Sequence, residues 1–312
     1  MMPWERRTYG LQWVEPMPRI PEVILNSIVY LYADKDDADT GVDSGGSGFL
    51  TQMPSENCKT ASHIYAVTNA HVIERGSPVV RVNLTHPSSG YERTYSFEFT
   101  ASDWVVHPEH DLAVCALPTD VQSNLYRVAL IDTKFLLSEK DVIEKDIGPG
   151  DDVVYVGRFM GHAGKYQNMP SVRFGNISMN PNPLEPIESE VNGRLRKQVG
   201  FLVEARSRSG YSGSPVFFLH QHAVNDRRIV FAGFDLRILG VDWGHIPERV
   251  PLQDPHGRLH GSNWYVEVHA GMMGVVPSWY LLDFLNTAPR LIAQRIRDDD
   301  YYNAYPVIGV PE

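Results

Sequence analysis

Short apolar or alternating runs, parted by Gly, Pro, Asn and Asp, set the rhythm of this chain. In order they are VILNSIVYLYA, SGFLTQM, HIYAVTNA, PVVRVNL, YSFEFTA and DLAVCAL, then DVVYVGRF, VRFGNISM, GFLVEA, SPVFFL, IVFAGF, LGVDW and WYVEVHA. Runs of this length with turn formers at both ends predict strands. The fold class that follows is all-β. The first six runs end near residue 118, and the mixed stretch LIDTKFLLSEKDVIEKDIGPGDD separates them from the rest. A crossing between two β units is expected there. The predicted organisation is an arm over 1–22, a first β unit over 23–130, a linker over 131–150, a second unit over 151–277, and a C-terminal helix and tail over 278–312.

Two polar stretches rich in Pro, Asn and Gly, 178–200 and 245–263, interrupt the second unit. They read as surface loops, which on a β scaffold either carry binding or are tolerated insertions. Near the end, Trp279, Leu282, Phe284 and Leu285 recur at helical spacing behind Pro277-Ser278, and Pro289 is placed to end or kink that helix.

Composition narrows the function classes. With 312 residues, 43% of them hydrophobic, the chain can bury one substantial core or two modest ones. A formal net charge of −10 leaves no basic surface for phosphate, so neither nucleic acid nor a membrane is an expected partner. Two cysteines, Cys58 and Cys115, are too few for the disulfide framework of a small secreted scaffold. The opening MMPWERRTYGLQW holds no apolar run of the signal-peptide kind, so a cytoplasmic location is the expectation.

Chemistry enters at SGYSGSPVFF, residues 209–218, where Ser212 lies among glycines at the mouth of a strand. Glycines let the backbone turn sharply and present amide N–H groups, here those of Gly210 and Ser212, to a developing oxyanion. YAVTNAHVI, residues 65–73, ends an apolar strand in a small-residue turn bearing His71, and Asp111 of HPEHDLAVCAL opens another strand. Taken singly, each has an ordinary reading as a turn, a structural histidine or a cap. Joined, they supply a nucleophile, a base to activate it and a carboxylate to hold the base. A rival use of HPEHD is a metal-dependent hydrolase built on His107, His110 and Asp111, although the run lacks the helical His-Glu-x-x-His spacing.

With GGSGFL (45–50), VTNAHVI, DLAV and GYSGSP in this order, the chain resembles the trypsin-like, chymotrypsin-fold serine peptidases. LGVDWGH (239–245) is similar to the strand that runs beside bound substrate, and GMMGVVPSWYLLDFL (271–285) to the closing strand and helix of bacterial, HtrA-like members. The resemblance spans about residues 23 to 285. It implies two six-stranded Greek-key β-barrels with a C-terminal helix and a cleft between the barrels. It also implies a serine endopeptidase working through an acyl-enzyme, with Ser212 as nucleophile, His71 as base, Asp111 as its orienting partner, and Gly210 and Ser212 as the oxyanion hole. Asp242, Trp243 and Gly244 would pair with substrate, and Arg206 would lie at the base of the primary pocket, favouring an acidic side chain unless it points out to solvent. The implied partner is a protein or peptide substrate, with a regulatory protein as a further expectation, and no cofactor or metal is called for.

Departures from the family pattern are informative. Tyr211 stands where zymogen-type members carry the aspartate that receives a new N-terminus, so activation of that kind is not expected. Asp242 stands where a serine commonly sits beside the orienting aspartate, and a second carboxylate there needs its own hydrogen-bond donors or raises a pKa. These changes leave open a catalytically silent fold acting as a protein-binding or scaffolding module.

Overall fold

The computed structural model describes residues 20–42, 44–58, 61–85, 93–118, 121, 123–191, 194–205, 210–219, 236–253, 256–258 and 264–304. Its strands lie along the apolar runs. In the first unit these are β1 (Ile28–Tyr32), β2 (Ser44–Pro54), β3 (Ser62–Thr68), β4 (Val79–Asn83), β5 (Thr94–Phe97), β6 (Val105–Val106), β7 (Ala113–Leu117) and β8 (Ile131–Asp132). They form an eight-stranded sheet in the order β5-β4-β1-β2-β3-β7-β6, with β8 parallel to β2. Short helices α1 (Glu22–Asn26), α2 (Lys35–Thr40) and α3 (Ala70–Glu74) punctuate it, and α4 (Glu139–Glu144) lies in the crossing.

The second unit holds β9 (Asp152–Gly157), β10 (Ser171–Met179), β11 (Ile187–Val191), β12 (Arg194–Gln198), β13 (Phe201–Ala205), β14 (Pro215–Leu219), β15 (Leu236–Pro251) and β16 (Tyr265–Pro277). Six of these close a barrel in the order β10-β13-β16-β15-β14-β9, while β11 and β12 pair with each other as a separate hairpin. The expected pair of six-stranded barrels thus takes the form of one closed barrel and one sheet. Among the described residues the edge strands β5 and β6 of the first sheet do not pair with each other.

Both polar stretches contain more strand than their composition suggests. The first includes the β11–β12 hairpin, and β15 and β16 stay paired out to Pro251 and Tyr265. At the C-terminus α5 (Ser278–Thr287) stops and α6 (Pro289–Ala304) starts on either side of Ala288. Proline lacks the N–H an interior helix position needs but fits a first turn, so it breaks one helix and opens the next. No described helix is long and apolar enough to cross a membrane, and Cys58 and Cys115 are both thiols.

One apolar cluster joins the two units. It runs from Tyr30, Phe49 and Val67 of the sheet through Val154, Phe217 and Val276 of the barrel to Leu281 and Leu285 of α5. Each fully buried side chain of this kind contributes about 1.5–3 kcal/mol, so the walls of the intervening cleft are held at a set distance. Arg81 of β4, fully buried, adds a polar tie. It donates to the carbonyls of Ala38 (2.7 Å) and Gly164 (3.0 Å) and to Asn168 Oδ1 (2.8 Å), which pins the β9–β10 connection onto the first sheet.

Candidate active site

β3 ends at Thr68, and the chain turns through Asn69 into α3, whose second residue is His71. The turn is fastened to the start of the β7 region: Asn69 Nδ2 donates to the Asp111 carbonyl at 2.9 Å, and the His71 N–H donates to Asp111 Oδ1 at 3.0 Å. The ring follows, with His71 Nδ1 2.6 Å from Asp111 Oδ2. A proton on Nδ1 leaves Nε2 as the acceptor nitrogen. Both residues are buried, His71 3% and Asp111 4% exposed. Burial alone would raise the Asp111 pKa, but hydrogen bonds and charge from His71, with help from Arg196, outweigh it and hold the carboxyl below the usual range. Such a depressed group stabilises the fold above its unfolded pKa, about 3.9, and loses that contribution as pH falls through the lower folded value.

The Ser212 turn is made of backbone bonds. Ser214 N–H donates to the Tyr211 carbonyl (2.8 Å), Gly213 N–H to the Asp242 carbonyl (2.8 Å), and Asp242 N–H to the Ser214 carbonyl (2.9 Å). Because a trans peptide points its C=O and N–H in opposite directions, the inward Tyr211 carbonyl turns the Ser212 N–H outward. Gly213 has φ 89° and Gly210 φ 99°, left-handed values that side chains resist. Ser47 of β2 staples this turn to the first sheet: its N–H donates to the Ser212 carbonyl (2.9 Å) and its Oγ to the Gly210 carbonyl (2.7 Å). A side chain on Gly46 would meet Val72 at 3.0 Å and the Ser212 carbonyl oxygen at 3.1 Å, so the His71 helix and the Ser212 turn face each other across this glycine.

The profile of the trypsin-like peptidase domain matches residues 46–224. The chain belongs to this family. Among solved structures, the Rv3671c protease in an inactive form aligns with 86% of this chain and 95% of its own, at 18% identity and a TM-score of 0.41. No curated protein sequence matches the chain.

In this trypsin-like peptidase domain Tyr211 is fully buried, its hydroxyl bonded to Ser171 Oγ and accepting from Arg173 Nε at 2.8 Å. An internal phenol therefore anchors the residue before Ser212. Asp242 is also fully buried, and its Oδ1 accepts from the Gly244 N–H at 2.6 Å. The second carboxylate thus has a backbone donor of its own. Trp243 lies against Gly200 and Gly274, where added side chains would meet it at 2.5 and 2.2 Å, and it lines a cleft of about 450 Å³ shared with His110, Asp111, Arg196 and Gln198. Arg206 lies outside the described residues.

His107 and His110 spend their Nδ1 atoms locally. His107 Nδ1 accepts from the N–H groups of Glu109 (3.0 Å) and His110 (2.9 Å), and His110 Nδ1 meets Gln198 Nε2 at 2.9 Å. Burial, followed by the neighbouring His107, pushes the His110 pKa down to about 4. Among the described residues no group of three or more His, Cys, Asp or Glu is arranged to hold a metal ion. Sequence reasoning passed over Ser47, Gln198, Arg196, Ser171 and Arg173. Only Ser47 carried a signal, as a small polar residue inside a glycine-rich strand.

Proposed function

We propose that the chain is a serine endopeptidase, with Ser212 as nucleophile, His71 as general base and Asp111 as the residue that orients the base. The observation that carries this reading is the buried His71–Asp111 hydrogen bond of 2.6 Å, which leaves Nε2 as the acceptor nitrogen of the ring. In the reaction Ser212 Oγ attacks the scissile carbonyl carbon as its proton passes to His71 Nε2. The tetrahedral oxyanion is met by the N–H groups of Gly210 and Ser212. Collapse breaks the C–N bond, His71 returns the proton to the leaving amine, and water repeats the cycle on the acyl-enzyme.

Backbone groups of Asp242, Trp243 and Gly244 would take the substrate as an added strand, the Asp242 carbonyl through its second lone pair and the Gly244 N–H by release from Asp242 Oδ1. If Arg206 floors the primary pocket, an acidic side chain is favoured there. The test is intact-mass detection of a fluorophosphonate adduct on wild type, Ser212→Ala and His71→Ala. One adduct on wild type is expected, with none on Ser212→Ala and labelling by His71→Ala slowed by several orders of magnitude, as when a triad member is removed. An unlabelled, folded wild type would favour the protein-binding alternative.

A further inference from the structure

The hairpin of β11 and β12 is built from the polar stretch that composition alone marks as a loop. Its strands pair only with each other among the described residues. Residues two apart on a strand share a face, and here Arg196 and Gln198 share the one turned to Asp111, while Lys197 pairs with Glu188 at 2.8 Å. Gln198 Oε1 accepts the Asp111 N–H at 3.0 Å, and Gln198 Nε2 donates to the Val199 carbonyl at 2.8 Å. Arg196 spans two acids: Nη1 lies 3.3 Å from Asp111 Oδ1, and Nη2 lies 2.8 and 2.7 Å from the two oxygens of Glu74. Glu74 ends α3, the helix that carries His71.

Among the described residues, three donors reach the Asp111 carboxylate. Two belong to His71, the group the carboxylate is to orient, and the third is Arg196. Of the two His71 donors, the backbone N–H fixes Oδ1 alone and the ring Nδ1–H moves with the group to be oriented, so without Arg196 nothing outside His71 in this set restrains the carboxylate. Arg196 holds it from a separate element and, through Glu74, ties it back to the helix bearing the ring.

We propose that Arg196 is a positioning residue for the His71–Asp111 pair, so that docking of the β11–β12 hairpin completes the site. The proposal rests on the serine-peptidase reading given above. During acylation the proton leaving Ser212 makes His71 an imidazolium, and Arg196 keeps the Asp111 carboxylate in place as that charge appears. Its side chain is 33% exposed, so solvent screens its charge and the main effect is on orientation.

The experiment compares wild type, Arg196→Met, Arg196→Lys and Glu74→Gln in fluorophosphonate labelling rate against pH, in kcat and KM on a peptide, and in the downfield proton spectrum that reports the His71 Nδ1–H. For Arg196→Met a roughly tenfold fall in labelling rate and in kcat is expected, the worth of one charge-assisted hydrogen bond. KM and thermal unfolding should hardly move. The acid limb should shift to higher pH, because a cation has been withdrawn from beside the proton-accepting pair, and the Nδ1 proton signal should shift or broaden. Arg196→Lys should restore part of the rate, and Glu74→Gln should show a smaller loss of the same kind.

Wild-type rate, pH profile and proton signal in folded Arg196→Met would overturn the proposal. So would equal losses in the Met and Lys variants that track a lowered unfolding temperature. If wild type itself takes no label, the serine reading fails, and the Nδ1 proton signal alone decides whether Arg196 holds the pair.

Discussion

Asp111 and His71 are held among side chains, those of Asn69, Arg196 and Gln198, whereas Ser212 is held among backbone amides and carbonyls from Ser47, Tyr211, Asp242 and Ser214. Side chains place a charge with directional donors but can lose them to one substitution or one proton. Backbone bonds have no side chain to lose, but they demand conformations and close approaches that only small residues allow. One wall should therefore fail chemically and the other sterically.

The largest effect is expected on the steric wall. A side chain at Gly213 would lie 2.1 Å from the Ser47 carbonyl oxygen and 2.3 Å from Thr68 Oγ1, at a φ of 89°. The first of these neighbours is backbone of β2 and cannot swing aside. Gly213→Ala should abolish fluorophosphonate labelling and lower stability by about 3 kcal/mol or more, read from denaturant unfolding. Near-native labelling by this variant would mean that the turn is looser than its backbone bonds indicate.

A smaller effect tests whether backbone bonds suffice. Tyr211→Phe keeps the buried ring but removes the hydroxyl that accepts from Arg173 Nε and bonds Ser171 Oγ. Arg173 is only part-buried, so losing this acceptor costs about 1 kcal/mol, the low end for an unmet donor. If the phenol anchors the turn, labelling should slow about tenfold with a modest loss of thermal stability. Unchanged labelling with the same loss of stability would assign Tyr211 to the barrel alone and sharpen the contrast between the walls.

How much of this was readable follows from which interactions leave a local trace. Strands such as β3, β7 and β14 announce themselves through apolar runs, and His71 and Asp111 stand at strand ends where a turn exposes polar groups. The β11–β12 hairpin left no such trace, because Ile187, Val191 and Leu195 are too few among the charged and polar residues of IESEV and RLRKQ to form an apolar run. The grip of Gln198 on Asp111 joins residues 87 apart, which no local pattern reports. The donor for Asp242 is a backbone N–H two residues on, invisible to reasoning about residue types.

The mildest expected effect sets one proton against the two walls. His110 meets Gln198 Nε2 through Nδ1, so in that contact its ring is neutral, and burial holds its pKa down at about 4. A histidine with a lowered folded pKa takes up its proton more readily when the site opens, where the value returns to about 6.5. Stability from this group is therefore complete above about pH 6.5 and declines as pH falls toward 4, by at most about 1.4 kcal/mol per unit. The loss should appear at the Asp111 amide, which Gln198 Oε1 holds, as protection against hydrogen exchange that falls by up to about tenfold per pH unit after correction for the intrinsic rate. The Gly213 amide, bonded to the Asp242 carbonyl at 2.8 Å, should keep its protection over the same range. His110→Gln should flatten the Asp111 response. Parallel loss at both amides would show that the walls open together, and that the cleft answers acid as one unit.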